Sequence, residues 1–211
     1  MHPICFMIRN RPQNADIIDL VLRENRAFVG YAPIHKDKWN QDGNFKGAMF
    51  DISNPDNVAW KKFKQSWSGN LYSLRHASTY RNLVMNADIG SIIAVPRRTL
   101  KTVYLGEYQG FELVDNPPWR DDYIKLRQRQ KQPIDDELDH VRDVVQSFKV
   151  NEWRPVDINN FSDPLERTMR TPRTTALFSA ARLGESDYTK EALSPYIKLK
   201  RLFDEASNSH N

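Results

Sequence analysis

A single cysteine, Cys5, stands among 211 residues. An intrachain disulfide and a cysteine zinc cluster are therefore both excluded. Cys5 lies within the apolar run Ile4 to Ile8 and is read as a buried packing residue. Glycine is also scarce, at eight residues, and none of them falls in the spacing that lines up backbone amides around a phosphate at a helix start. Nucleotide hydrolysis is not expected. Nowhere do about 18 apolar residues run together, and the first residues lack the basic start and long apolar stretch of an export signal. The expectation is a chain with no membrane partner and a cytoplasmic location.

Histidine is sparse as well, at positions 2, 35, 76, 140 and 210, with no pair at the short spacing of a helix-borne metal site. No serine sits in a glycine-flanked nucleophile turn, so a triad built on Ser73 and His76 has no support. Carboxylates do cluster at Asp121-Asp122 and Asp135-Asp136-Glu137. A metal-dependent nuclease needs such groups to converge on one ion, but no strand delivers an acid and a lysine on one face at short spacing. These clusters read as solvated helix starts. No catalytic residue, metal or cofactor is expected.

What the chain does have is apolar material for an interior, at 39% hydrophobic and 11% aromatic, under a surface with 27% charged residues. One core is expected from this length. Net charge is +4 and the isoelectric point is near 9.1, a balance that suits an anionic partner. The basic residues gather in short groups: Lys61, Lys62 and Lys64; Arg97, Arg98 and Lys101; Arg127, Arg129 and Lys131; Arg167, Arg170 and Arg173.

Along the chain, Ile4 to Ile8 reads as a strand, and Asp16 caps a helix carrying Ile17, Leu20 and Val21 that runs to about Asn25. A second strand ends in Phe28-Val29-Gly30-Tyr31. Residues 32 to 55 form a long polar loop, of the kind that carries function. Trp60, Phe63, Trp67, Leu71 and Leu74 recur at spacings of three and four, which predicts one helix kinked near Gly69 with its aromatic side in the core. Ser91 to Val95 and Thr102 to Glu107 are strands expected to pair through the turn Arg97 to Lys101. Asp121 to Gln132 is polar and charged and is expected to be helical or loosely ordered, with the least regular part of the molecule placed there. Lys149 to Ile158 predicts an irregular strand, Leu165 to Met169 a short helix and Thr174 to Phe178 a further strand. In the tail, Leu193, Tyr196, Ile197, Leu199, Leu202 and Phe203 define an amphipathic helix with Pro195 in its first turn. The fold class is α/β in the mixed, α+β sense.

With those strands placed, several segments resemble the PUA-like superfamily, specifically the EVE and YTH-type domains that recognise modified bases. They are Phe28-Val29-Gly30-Tyr31, Asp88 to Pro96, Val103 to Tyr108, Trp153 to Ile158 and Pro172 to Phe178, spread over residues 4 to 180. Asp88-Ile89-Gly90 departs from the usual glycine-aspartate order. The resemblance implies a small barrel-like or strongly curved mixed sheet flanked by helices over residues 1 to 184, with residues 185 to 211 as a C-terminal helix and tail. It also implies a pocket in which aromatic rings enclose an extruded base.

A reader of a flipped base needs stacking rings, a few polar groups and positive charge for the phosphates. Tyr31, Trp39, Tyr108, Phe111 and Trp119 fall at expected strand ends or in loops and form the candidate base pocket. Arg97, Arg98, Lys101, Arg170 and Arg173 form the candidate phosphate contacts. The leading expectation is a modified-base reader, acting on DNA as the sensor of a defence or restriction system whose effector is a separate protein. Two rivals are a non-catalytic protein-interaction subunit that uses the C-terminal helix, and a divergent nuclease.

Overall fold

In a computed structural model, the described residues are 3–30, 32–34, 45–67, 71–97, 101–134, 140–170, 175–178 and 195–208. They divide into two units. The first takes residues 1–9, 86–110 and 149–211, and the second residues 10–85 and 111–148.

The strands are β1 (Cys5–Ile8), β2 (Arg26–Phe28), β3 (Ile92–Pro96), β4 (Thr102–Leu113), β5 (Gln146–Asp157) and β6 (Thr175–Leu177). Their hydrogen-bonded order is β2-β5-β4-β3-β1-β6. Five of them, from β5 to β6, build the mixed sheet of the first unit. Cys5 pairs with Ile92 in parallel register, while Phe6 faces Leu177 and Ile92 faces Glu107 in antiparallel register. The order ends in edges, so the sheet is not closed into a barrel.

All four residues of β1 and all five of β3 are buried. A strand covered on both faces needs no polar alternation, which is why both were legible as continuous apolar runs. The expected hairpin is present, closed by the Arg97 amide on the Thr102 carbonyl at 2.9 Å. Beyond the turn, β4 continues past the expected end at Glu107. At Gly106 the chain passes so close to β5 that an added Cβ would lie 2.8 Å from two ring atoms of Trp153. Helices α6 (Asp163–Arg170) and α7 (Pro195–Asn208) complete this unit. Leu165 and Met169 of α6 join Leu199 and Phe203 of α7 in one cluster with Cys5, Met7, Ile92 and Leu105. The amphipathic tail thus covers its apolar stripe with the unit's own core. Burial also pushes the Cys5 thiol far above its usual range, as expected for a packing residue.

The second unit holds α1 (Ile18–Glu24), α2 (Phe45–Ala48), α3 (Asn57–Gln65), α4 (Leu71–Asn86) and α5 (Arg120–Arg129). Asp16 does not take the N-cap position of α1, which falls to Ile17, but its carboxylate accepts from the Ile18 amide at 3.2 Å. Asn25 closes that helix in the left-handed conformation, at φ 49°. The expected kinked helix is two helices: α3 stops at Gln65 and α4 starts at Leu71, leaving Trp67 beyond the end of α3. Trp60 is buried, while Phe63 and Trp67 are half-buried.

Buried Gln146 ties the end of the long loop to this unit. Its amide donates to the Phe50 carbonyl at 3.0 Å, and its side-chain oxygen accepts from the Ile52 amide at 3.2 Å. Gly30 lies against Pro12, whose Cβ would be 3.1 Å from an added Cβ. Of the two alternatives for Asp121 to Gln132, the helix is the one found, and the expectation of least regularity there is corrected. Most of that stretch is α5, with Tyr123, Ile124, Leu126 and Arg127 buried.

Candidate nucleic-acid interface

The β3–β4 turn places Arg97 and Lys101 at the two ends of one short connection, with Arg98 outside the described residues. Lys101 is exposed, and its backbone is left-handed at φ 53°. Neither side chain has a carboxylate partner among the described residues. Their charge is therefore available to an external anion.

The Lys101 carbonyl accepts from the Ile158 amide at 2.8 Å, which fixes the turn beside the end of β5. There the chain makes one 3-10 turn, Ile158–Asn160, started by the Asp157 carboxylate on the Asn159 amide at 2.8 Å. Ile158 and Phe161 are buried, so the exposed Asn159 and Asn160 between them are held outward. Asn160 and Ser162 then line a cavity of about 520 Å³, together with Leu165 of α6 and Lys198, Arg201 and Leu202 of α7. Glu205 shares the lining and forms an ion pair with Arg201 at 2.6 Å. The cavity combines aliphatic walls, an amide, a hydroxyl and two cationic side chains. Such a lining suits a polar anionic ligand with a flat hydrogen-bonding edge.

The reading of single segments had not singled out Asn160, Ser162, Lys198 or Arg201. One signal was present: Lys198-Leu199-Lys200-Arg201 places basic residues between the apolar positions of α7. Lys200 is partly neutralised, at 3.4 Å from Glu107 and 2.6 Å from Asp204. Arg170 is exposed and paired with Glu166 at 2.6 Å, while Arg173 lies outside the described residues.

Of the five aromatic residues expected in a pocket, Tyr31 and Trp39 also lie outside the described residues. The other three differ from the expectation that their rings are free to face a ligand. Tyr108 is 4% exposed, within β4 rather than at its end. Trp119 is equally buried, with its indole nitrogen donating to the Val144 carbonyl at 2.9 Å and the Arg26 guanidinium 4.9 Å over its ring. Phe111 is half-buried and meets Phe148 edge-on at 5.1 Å. Tyr108 belongs to the first unit, Phe111 and Trp119 to the second, and each is engaged within its own unit.

Burial pushes the Tyr108 hydroxyl up to about 12. The unfolded chain ionises this tyrosine near pH 10, so the stability its neutral form supports is present below pH 10 and lost as pH rises towards 12. In a spectrophotometric titration of the folded protein, the Tyr108→Phe variant is expected to lose amplitude only in the late, high-pH step. Loss of amplitude near pH 10 instead would show an accessible hydroxyl.

A second groove, of about 480 Å³, lies in the second unit between α1 and α5. There Arg23 lies 2.7 Å from Glu24 and 2.8 Å from Asp122, while Lys125 and Arg129 add positive charge to the lining. Asp121 and Asp122 do sit in the first turn of α5, where carboxylates favour the positive end of the helix dipole. Among the described residues no three or more histidine, cysteine or acidic side chains converge on a metal position. No described helix is long and apolar enough to cross a membrane. No family model, curated protein or solved structure matches this chain.

Proposed function

We propose that this chain is a nucleic-acid-binding module whose first unit holds phosphates at the β3–β4 turn and a single unstacked nucleotide in the neighbouring cavity. The observation that carries this reading is the junction of the two: Lys101 is hydrogen-bonded to Ile158, and Asn160 two residues on lines the cavity. Positive charge positions the backbone, and side-chain amide and hydroxyl groups read an edge. The EVE or YTH-type reading belongs to this proposal too. It assigns the Asp88 to Pro96 and Val103 to Tyr108 segments, which carry the paired strands β3 and β4, to that family's central strands. On that reading the ligand is DNA with a modified base, and a separate protein supplies the response. The rival protein-interaction reading relied on the C-terminal helix, whose apolar stripe is occupied at Leu199 and Phe203.

The test replaces Arg97 and Lys101 together with glutamine. Binding to every oligonucleotide is expected to weaken, and the slope of log affinity against log salt to flatten by about 2, since each lost phosphate contact contributes roughly 0.9 on duplex DNA. Asn160→Ala is expected to weaken binding differently across a panel of unmodified, methylated and hydroxymethylated bases while leaving the salt slope unchanged. An unchanged slope in the double variant would move the phosphate contacts elsewhere.

A further inference from the structure

The second unit carries a different cationic surface, on α3. The helix sequence Asn57 to Gln65 contains Lys61, Lys62 and Lys64 and no acidic residue. All three lysines are exposed, and none has an ion-pair partner among the described residues. The neighbouring Asp56 carboxylate is occupied as the helix cap, accepting from the Val58 amide at 2.8 Å and the Ala59 amide at 3.0 Å.

Beside the lysines runs a row of rings. Trp60 and Phe63 are stacked with their planes 10° apart and centroids at 5.8 Å, and Trp67 follows at 5.7 Å from Phe63. Phe50 closes the inner end, at 5.1 Å from both Trp60 and Phe63. The Arg81 guanidinium, 5.6 Å from the Trp60 ring centre, holds that end as well. Burial decreases along the row: Trp60 is buried, Phe63 and Trp67 only half so. Lys64 reaches back over the Trp60 ring at 5.6 Å, so charge and ring surface meet on one side of the helix. Residues three apart on a helix stand about 5 to 6 Å apart at Cβ, which sets Lys61 and Lys64 as close neighbours along this edge.

We infer that α3 and Trp67 form a second binding surface, and that its ligand is single-stranded nucleic acid. Lysines beside a rigid ring row supply both parts of a sequence-tolerant single-strand site, backbone charge and a stacking platform. A duplex keeps its base faces covered and would use only the lysines. The inference shares with the proposed function only the class of ligand, and it uses different residues in a different unit.

The test measures full-chain binding to a fluorescein-labelled 12-nucleotide oligothymidylate and to a duplex of the same length over a salt series. The variant Lys61→Gln/Lys62→Gln/Lys64→Gln is expected to flatten the single-strand salt slope by about 2, from three contacts at roughly 0.7 each. Trp67→Leu is expected to weaken single-strand binding at least about 5-fold, with Trp67→Phe retaining most of it. Because the lysines are exposed, the triple variant tests the surface even if a Trp67 variant folds poorly. Unchanged single-strand affinity and slope in the triple variant would overturn the inference. So would lysine-dependent binding to phosphatidylserine vesicles without oligothymidylate binding. If the Arg97/Lys101 variant loses duplex binding while the α3 variant changes nothing, this inference fails and the proposed function stands. The converse pattern retains the α3 surface and rejects the turn.

Discussion

Replacing Arg81 with alanine is expected to lower stability by about 3 to 5 kcal/mol, measured by urea unfolding, and to loosen the segment that precedes α3. The Arg81 guanidinium is 3% exposed, and it donates to the Ile52 carbonyl at 3.0 Å, to the Asn54 carbonyl and to the Asn57 side-chain oxygen at 3.1 Å. One side chain thereby satisfies two backbone acceptors and anchors α3 at its first residue. Its flat face also packs near the Phe50 and Trp60 rings, at 5.8 and 5.6 Å. Alanine leaves those carbonyls without their donor, and each unsatisfied buried group costs about 1 to 3 kcal/mol. Lysine keeps the charge but has no planar fork, so Arg81→Lys is expected to recover less than half of the loss. A variant melting within a few degrees of the parent would show that the segment finds other donors.

The second large effect is expected at Arg127, which is fully buried in α5. It donates to the Tyr123 hydroxyl at 3.3 Å and to the Pro133 carbonyl at 2.9 Å, and the Tyr123 hydroxyl in turn donates to buried Asp143 at 3.1 Å. Burial, then the Asp143 charge, hold the Tyr123 hydroxyl well above its ordinary value, so it stays a donor at any working pH. Arg127→Ala removes the buried guanidinium from this network, leaving the Pro133 carbonyl and the Tyr123 hydroxyl without its donors, and is expected to cost about 3 to 5 kcal/mol. Tyr123→Phe breaks the link alone and is expected to cost about 1 to 3 kcal/mol. The double variant should lose less than the sum, because the two changes remove one network. Additive losses would show that the arginine and the tyrosine act separately.

These two arginines also mark where the sequence could and could not be read. Strands β1 and β3 are apolar throughout, and the turn between β3 and β4 is bounded by Pro96 and Thr102, so sheet and hairpin followed from local pattern. Helix α5 did not, because Arg127 is a core residue there and arginine is rarely found fully buried. Without it, the stripe of Tyr123, Ile124 and Leu126 left a helix and a loose segment both open. Strand β5 begins at Gln146 and Ser147, both fully buried, and polar residues of that kind do not announce a strand. The expected end of β4 was Glu107, yet Gly110 at φ 137° carries the strand on to Leu113.

The candidate site was legible only at its turn. Arg97 and Lys101 stood out as a cluster at a hairpin, but the cavity next to it is assembled from Asn160, Leu165 and Lys198, which come together through α6 and α7. No periodicity within one segment encodes a junction of three. Aromatic type alone did not reveal that Tyr108 and Trp119 fill interior positions, where the Trp119 indole donates to the Val144 carbonyl.

The interleaving of the two units has a consequence for how the chain acquires its structure during synthesis. The second unit draws only on residues 10 to 148, so all of its parts are made before α6, β6 and α7. Strand β1, among the first residues to emerge, must wait for Phe178 and its neighbours before its edge is paired. An apolar strand with one edge open for that interval is a template for association with other chains. Pairing across so long a span of sequence also makes for slow closure. A released fragment that ends after residue 150 is therefore expected to show protease protection in the second unit while the open edge of β1 is cleaved, and the first unit is not obtainable as one uninterrupted segment without the residues of the second.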